Sequence, residues 1–110
     1  MNNHKNIVLC GVGGQGTVLA SKLLAAAAMS KDIPVMSAET IGMAQRGGSV
    51  FSHLRMGDNL YSPMIETGTA DLIIGFEPGE TVRMLPYLKG HGHIVVSTRA
   101  VKPVTATLSG

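Results

Sequence analysis

Cysteine is almost absent from this chain: Cys10 is the single one in 110 residues, and there is no tryptophan. One thiol can form neither an intrachain disulfide nor a paired redox centre, and it cannot supply the several ligands of an iron–sulfur cluster. Charge is also sparse. Charged residues make up 15% of the chain, the formal net charge is +2 and no Lys or Arg run occurs, so the basic footprint of a nucleic-acid-binding protein is missing. No apolar stretch is long enough to span a bilayer, and Met1-Asn2-Asn3-His4-Lys5 lacks the apolar core of a signal peptide. The expectation is a cytoplasmic protein with no membrane partner. Internal repeats are missing too. What remains is 45% hydrophobic residues with seven methionines, a composition that suits one globular domain with an adaptable core or interface. At this length the chain is short for a doubly wound sheet covered on both faces.

The residues that are present organise around Gly11-Val12-Gly13-Gly14-Gln15-Gly16. The apolar run Ile7-Val8-Leu9-Cys10 before it reads as a buried parallel strand, with Cys10 a buried structural thiol. From Gly16 to about Lys31 the spacing predicts a helix with Leu19, Leu23, Ala26 and Ala27 on one face, widened by Ala20 and Leu24, its alanines suited to close packing on a sheet. Asp32-Ile33-Pro34 breaks it, and Val35 to Ala38 reads as a second strand with Glu39 at its end, completing a β-α-β unit. Glycines 11, 13 and 16 thus fit G-x-G-x-x-G between a strand and a helix, where backbone N–H groups at a helix N-terminus form an anion site. Two readings stay open: a dinucleotide site with Glu39 as the ribose carboxylate, or a tight turn that binds nothing small.

Next comes a functional loop, Thr40-Ile41-Gly42-Met43-Ala44-Gln45-Arg46-Gly47-Gly48, too glycine-rich for a core element and too apolar for a linker. Arg46, with Gln45 and two glycines as neighbours, can grip a carboxylate or phosphate bidentately; a surface arginine and an interface contact are the competing readings. Ser49 to Met56 alternates as a strand does, with Val50, Ser52, Leu54 and Met56 on one face and Phe51, His53 and Arg55 on the other. Gly57-Asp58-Asn59 signals a turn, after which Leu60-Tyr61-Ser62 can pair back as a hairpin, so the sheet is expected to be mixed. Ala70 to Phe76 is the clearest buried strand. A helix should follow from Pro78 to about Lys89 with Val82, Leu85 and Leu88 buried, then a strand from His93 to Ser97. The remainder, from Lys102 to Gly110, shows no periodicity. His53 reads as a structural or interface histidine, His91 and His93 as exposed, and no catalytic residue or metal-ligand set stands out.

Taken together, Gly-Val-Gly-Gly-Gln-Gly at 11 to 16 and Gly-Met-Ala-Gln-Arg-Gly-Gly-Ser-Val at 42 to 50 make the chain resemble the small subunits of the 2-oxoacid:ferredoxin oxidoreductase family, in its indolepyruvate branch. Ser52-His53, Arg55, Tyr61-Ser62-Pro63, Ala70-Asp71 and Glu77-Pro78 extend the likeness over nearly the whole chain. The first motif is shared by the wider family's gamma domains, and the second is specific to the arylpyruvate branch. The resemblance implies a three-layer, Rossmann-like α/β domain with a mostly parallel, mixed sheet. Residues 1–110 would be the N-terminal part of one such gamma-type (pyruvate/ketoisovalerate oxidoreductase) domain, incomplete at its C-terminal end because family members run longer. It further implies oxidative decarboxylation of an arylpyruvate with coenzyme A to an aryl-acyl-CoA, with electrons passing to ferredoxin. Thiamine diphosphate and [4Fe-4S] clusters would reside on a large partner subunit, and this chain would bind no cofactor and be inactive alone. The implied site, in an inter-subunit cleft near the coenzyme A and substrate path, comprises Gly11, Gly13, Gly14, Gln15, Gly16, Glu39, Met43, Gln45, Arg46, Gly47, Gly48 and Ser49. A nicotinamide- or flavin-binding Rossmann protein and an inactive fragment that only binds a partner are the alternatives.

Overall fold

The computed structural model describes residues 4–12, 15–41 and 49–97. In chain order the elements are β1 (Lys5–Val12), α1 (Gln15–Ser30), β2 (Val35–Ile41), β3 (Ser49–Met56), β4 (Ala70–Gly75), α2 (Pro78–Met84), a 3-10 turn (Leu85–Tyr87) and β5 (Leu88–Val96). The five strands form one sheet in the order β2-β3-β1-β4-β5. Only β3 runs against the others: it is antiparallel to β1 and β2, whereas β1, β4 and β5 pair in parallel. The sheet is mixed and the fold is α/β, as the sequence predicts.

The alternation of side chains along the strands sorts the core into two layers. Ile7, Leu9 and Leu54 face α1, joined by Ala20, Leu24 and Ala25 from the helix and by Leu72 and Ile74 from β4. On the other face Val8, Cys10, Ile73 and Met84 pack with Ile65 and Ala70. Each fully buried aliphatic side chain contributes about 1.5–3 kcal/mol of transfer free energy. Thus β1, central and buried on both faces, anchors the molecule.

Several sequence expectations need correction. The β1-α1-β2 unit does not place its two strands side by side, because β3 lies between them. No strand forms at Leu60-Tyr61-Ser62; both edges of β3 are already paired, with β1 and β2, so a hairpin return has nothing to bond to. The helix after β4 ends at Met84, and Pro86 sits in the 3-10 turn that follows, so Leu88 opens a strand. Its buried residues are Glu80, Thr81 and Met84, and Val82 and Leu85 point to solvent. Helix α1 is also rotated from expectation: Thr17, Ser21 and Ala28 are buried, and Leu19 and Leu23 are 58% and 62% exposed. Gly11 explains this. A Cβ there would stand 2.6 Å from Thr17 Oγ1, so the strand and the first helical turn meet where only small groups fit, and the large residues are turned away.

Candidate functional site

Strand direction decides which loops meet. β1, β2, β4 and β5 all end at one edge of the sheet, and β3 begins there. Register makes the neighbours specific: Val12 pairs with Ser49, Val50 with Ile41, and Cys10 with Gly75. The strand that enters the glycine turn and the strand that leaves the Arg46 loop therefore end beside each other. Gly13, Gly14 and residues 42–48, which hold Met43, Gln45, Arg46, Gly47 and Gly48, lie outside the described residues. Of Gln15 and Ser49 only the backbone is described, in α1 and β3.

Around the described part of this edge, backbone approaches are close. The Phe76 N–H donates to the Cys10 carbonyl at 2.8 Å, and the Ser97 N–H donates to the Gly75 carbonyl at 2.9 Å, which ties the turns after β4 and β5 to the sheet. A Cβ at Gly75 would fall 1.7 Å from Thr81 Oγ1, so this glycine is required for α2 to pack. A Cβ at Gly11 would stand 3.3 Å from Phe76 Cβ, besides its clash with Thr17. Gly16 differs, because among the described residues nothing lies within 4 Å of where its Cβ would be. Packing thus accounts for the first glycine of the fingerprint and not for the third.

Glu77 is committed to the fold. Its carboxylate caps α2, accepting from Gly79 N–H at 2.9 Å and Glu80 N–H at 2.7 Å. The Cys10 thiol is pushed up from its ordinary value, first by burial and then by Glu80 and Glu77, against the pull of the Thr81 hydroxyl. Burial favours the neutral thiol, and one cysteine does not fit an iron–sulfur cluster. Glu39 lies in β2 with its side chain exposed, two strands from β1 and so roughly 10 Å across the sheet. In the dinucleotide arrangement that carboxylate sits on the strand next to the glycine turn, which here is β3.

His53 is fully buried between Phe51 and Tyr87, whose rings lie 5.7 and 5.6 Å away. Its Nδ1 accepts from the Ile65 N–H at 3.0 Å, which places the proton of the neutral ring on Nε2. That Nε2 has no hydrogen-bond partner among the described residues. Burial holds the ring's pKa below its ordinary 6.5, so His53 is a neutral structural acceptor that pins Ile65 into the core.

At the opposite edge a cleft of about 470 Å3 is lined by His4, Asn6, Arg55, Thr69, Asp71 and Lys89, among others. Its polar groups bond to each other. Asp71 accepts from the Asn6 N–H at 2.8 Å and from the Lys89 ammonium, and Arg55 donates to Asn6 Oδ1 at 3.0 Å and to the Ser62 carbonyl at 2.9 Å. Burial raises the Asp71 pKa, but the bonds from Lys89 and Asn6 outweigh it and hold the carboxyl below its usual value. Arg55 and Asp71 do not touch; Asn6 joins them, its side chain accepting from Arg55 and its N–H donating to Asp71, a link between β3, β1 and β4 that only strand register creates. Among the described residues no three His, Cys, Asp or Glu side chains gather as a metal site, and no helix is long and apolar enough to cross a membrane.

Comparison with known proteins places these features in a family. Residues 6–109 match the model of the pyruvate ferredoxin/flavodoxin oxidoreductase family. The chain is 44% identical over 98 residues to the indolepyruvate oxidoreductase subunit IorB of Methanothermobacter thermautotrophicus, covering 89% of this chain and 50% of that protein. It is 45% identical over 102 residues to the same subunit of Archaeoglobus fulgidus, covering 93% and 50%. The chain spans about half the length of the curated relatives it matches. Among solved structures, the 2-oxoglutarate:ferredoxin oxidoreductase of Magnetococcus marinus superposes with a TM-score of 0.74 at 20% identity, over 94% of this chain and 18% of that one. A keto/oxoacid ferredoxin oxidoreductase gamma subunit from Geobacter sulfurreducens gives 0.63 at 24% identity, over 86% and 51%. At such identities the structures speak to the fold, and the family match carries the assignment: the chain belongs to the pyruvate ferredoxin/flavodoxin oxidoreductase family.

Proposed function

We propose that this chain forms the N-terminal half of a gamma-type small subunit in an oxidoreductase that decarboxylates arylpyruvates. In that reaction the 2-oxoacid loses carbon dioxide, its acyl carbon is oxidised and joined to the coenzyme A thiol, and two electrons pass to ferredoxin. Thiamine diphosphate and iron–sulfur clusters would belong to a large partner subunit, since one cysteine cannot supply a cluster's ligands. The observation that carries the reading is the identity of 44–45% to two indolepyruvate oxidoreductase subunits. The pairing of Val12 with Ser49 supports it, because it brings the ends of the glycine turn and of the Arg46 loop to one edge.

At that edge the chain's own contribution is binding rather than bond-making. Backbone N–H groups of Gly13, Gly14, Gln15 and Gly16 at the start of α1, together with the Arg46 guanidinium, would hold a phosphate of coenzyme A or the substrate carboxylate. Met43, Gln45, Gly47, Gly48 and Ser49 would shape the loop around it. Among the described residues nothing crowds Gly16, which suits a ligand's close approach. The position of Glu39, two strands from β1, weighs against the nucleotide-binding alternative.

The test is co-expression with the large subunit, followed by an assay of viologen reduction that depends on both an arylpyruvate and coenzyme A. The expected result is turnover by the complex and none by either subunit alone. Tight binding of NAD(H) by this chain alone, abolished by Glu39→Ala, would replace the proposal with the dinucleotide reading.

A further inference from the structure

Helix α1 carries one charged residue, Lys22, in sixteen. A helix with one face on a sheet and the other in water normally has a polar outer side, and one that is apolar all round is normally covered all round. Here the outer side presents Leu19 (58% exposed), Leu23 (62%) and Met29 (60%), with Ala26 and Ala27 exposed between them. Lys22 stands within this stripe and makes no ion pair among the described residues. On the same side of the sheet, Val95 of β5 pairs with Ile74 and is 59% exposed. The α1 residues form an apolar stripe that the described residues leave bare, and Val95 is a second bare apolar position on the same side of the sheet.

We propose that this surface docks the large subunit, against an apolar ridge carrying a carboxylate opposite Lys22; the inference rests on the reading of the chain as one subunit of a complex. Two other occupants fit less well. A helix of sixteen residues is about 24 Å long, so a second copy packed helix to helix would bury roughly 240 Å2 on each side, against about 800 Å2 per partner in a stable interface. The length that relatives have beyond this region is the other candidate. α2 lies on the opposite face from α1, and the right-handed rule for parallel crossovers puts a helix leading to any further strand beyond β5 on the α2 side. A large subunit can cover α1 and continue across the sheet toward Val95.

The experiment measures the affinity of the full chain for its thiamine diphosphate-binding large subunit. Leu19→Glu and Leu23→Glu should weaken binding about thirtyfold or more, with Tm of the free chain moved by no more than about 3 °C because both side chains are exposed. Val82→Glu, an exposed apolar site on α2, should bind as the parent does. Lys22→Glu should weaken binding about threefold to tenfold and make it less salt-dependent. If the parent chain binds and the two leucine variants bind equally well, the surface is wrong while the functional reading stands. If the parent chain shows no binding at all, both fall. If the free chain is a dimer that Leu23→Glu makes monomeric, the occupant is a second copy and the proposal is overturned.

Discussion

The two ends of the sheet are built on opposite principles. At the amino end, where β1, β4 and β5 begin, charged and polar side chains satisfy one another: Asp71 takes Lys89 and the Asn6 N–H, and Arg55 takes Asn6 and Ser62. At the carboxyl end side chains retreat. Gly11 and Gly75 let backbone and helices come into contact, and Glu77 turns its carboxylate onto α2. The amino end looks like a site, with its cleft and its charges, yet its groups already have partners. A recognition surface needs donors that folding has not consumed, which is why the proposed site is placed at the carboxyl end.

This contrast can be broken most directly at the glycines. Gly75→Ala should cost about 3 kcal/mol or more, since its methyl would overlap Thr81. Gly16→Ala should leave stability unchanged or raise it by up to about 1 kcal/mol, because the site is open and helical. Urea unfolding of both variants decides it; a loss at Gly16 as large as that at Gly75 would mean that packing explains this glycine of the fingerprint as well.

Asp71→Asn should cost about 1–3 kcal/mol by leaving Lys89 without its charged acceptor, and should leave substrate KM in the assembled enzyme unchanged. Because the folded carboxyl lies below its ordinary 3.8, its contribution is present above that pH and disappears as pH falls through the depressed value. A KM change in this variant would make the amino end functional after all.

His53 gives a smaller effect in a milder pH range. Its folded pKa is lowered, so the unfolded chain binds the extra proton first; the stability from the neutral ring is complete above 6.5 and is lost as pH falls from there through the folded value. The slope is at most about 1.4 kcal/mol per pH unit. Unfolding midpoints from pH 7.5 to 5 should show it, His53→Leu should flatten it, and the protection factor of the Ile65 amide should fall with acid in the parent chain.

Much of this architecture is legible in the residues. β3 spans Ser49–Met56 as its alternation predicts, because a strand paired on both edges keeps period two throughout. The end of β1 and the start of β3, which flank the two parts of the glycine and arginine signature, meet at one edge. Less legible is the orientation of α1. It is apolar at so many positions that periodicity cannot choose a face, and the choice is made by Thr17 against Gly11. The hairpin expected at Leu60 fails for a non-local reason, the capture of both β3 edges by strands distant in sequence. Gly75 escapes notice because its requirement comes from Thr81 across a turn, a contact that no local pattern records.

The central claim, that recognition sits at the carboxyl end and the amino end only holds the fold, is tested most directly by kcat/KM of the assembled enzyme carrying Arg46→Ala. The account predicts a complex of unchanged mass and Tm whose kcat/KM for coenzyme A or the arylpyruvate falls about 10- to 100-fold, the worth of a charged hydrogen bond. An intact complex with kcat/KM within twofold of the parent would contradict it.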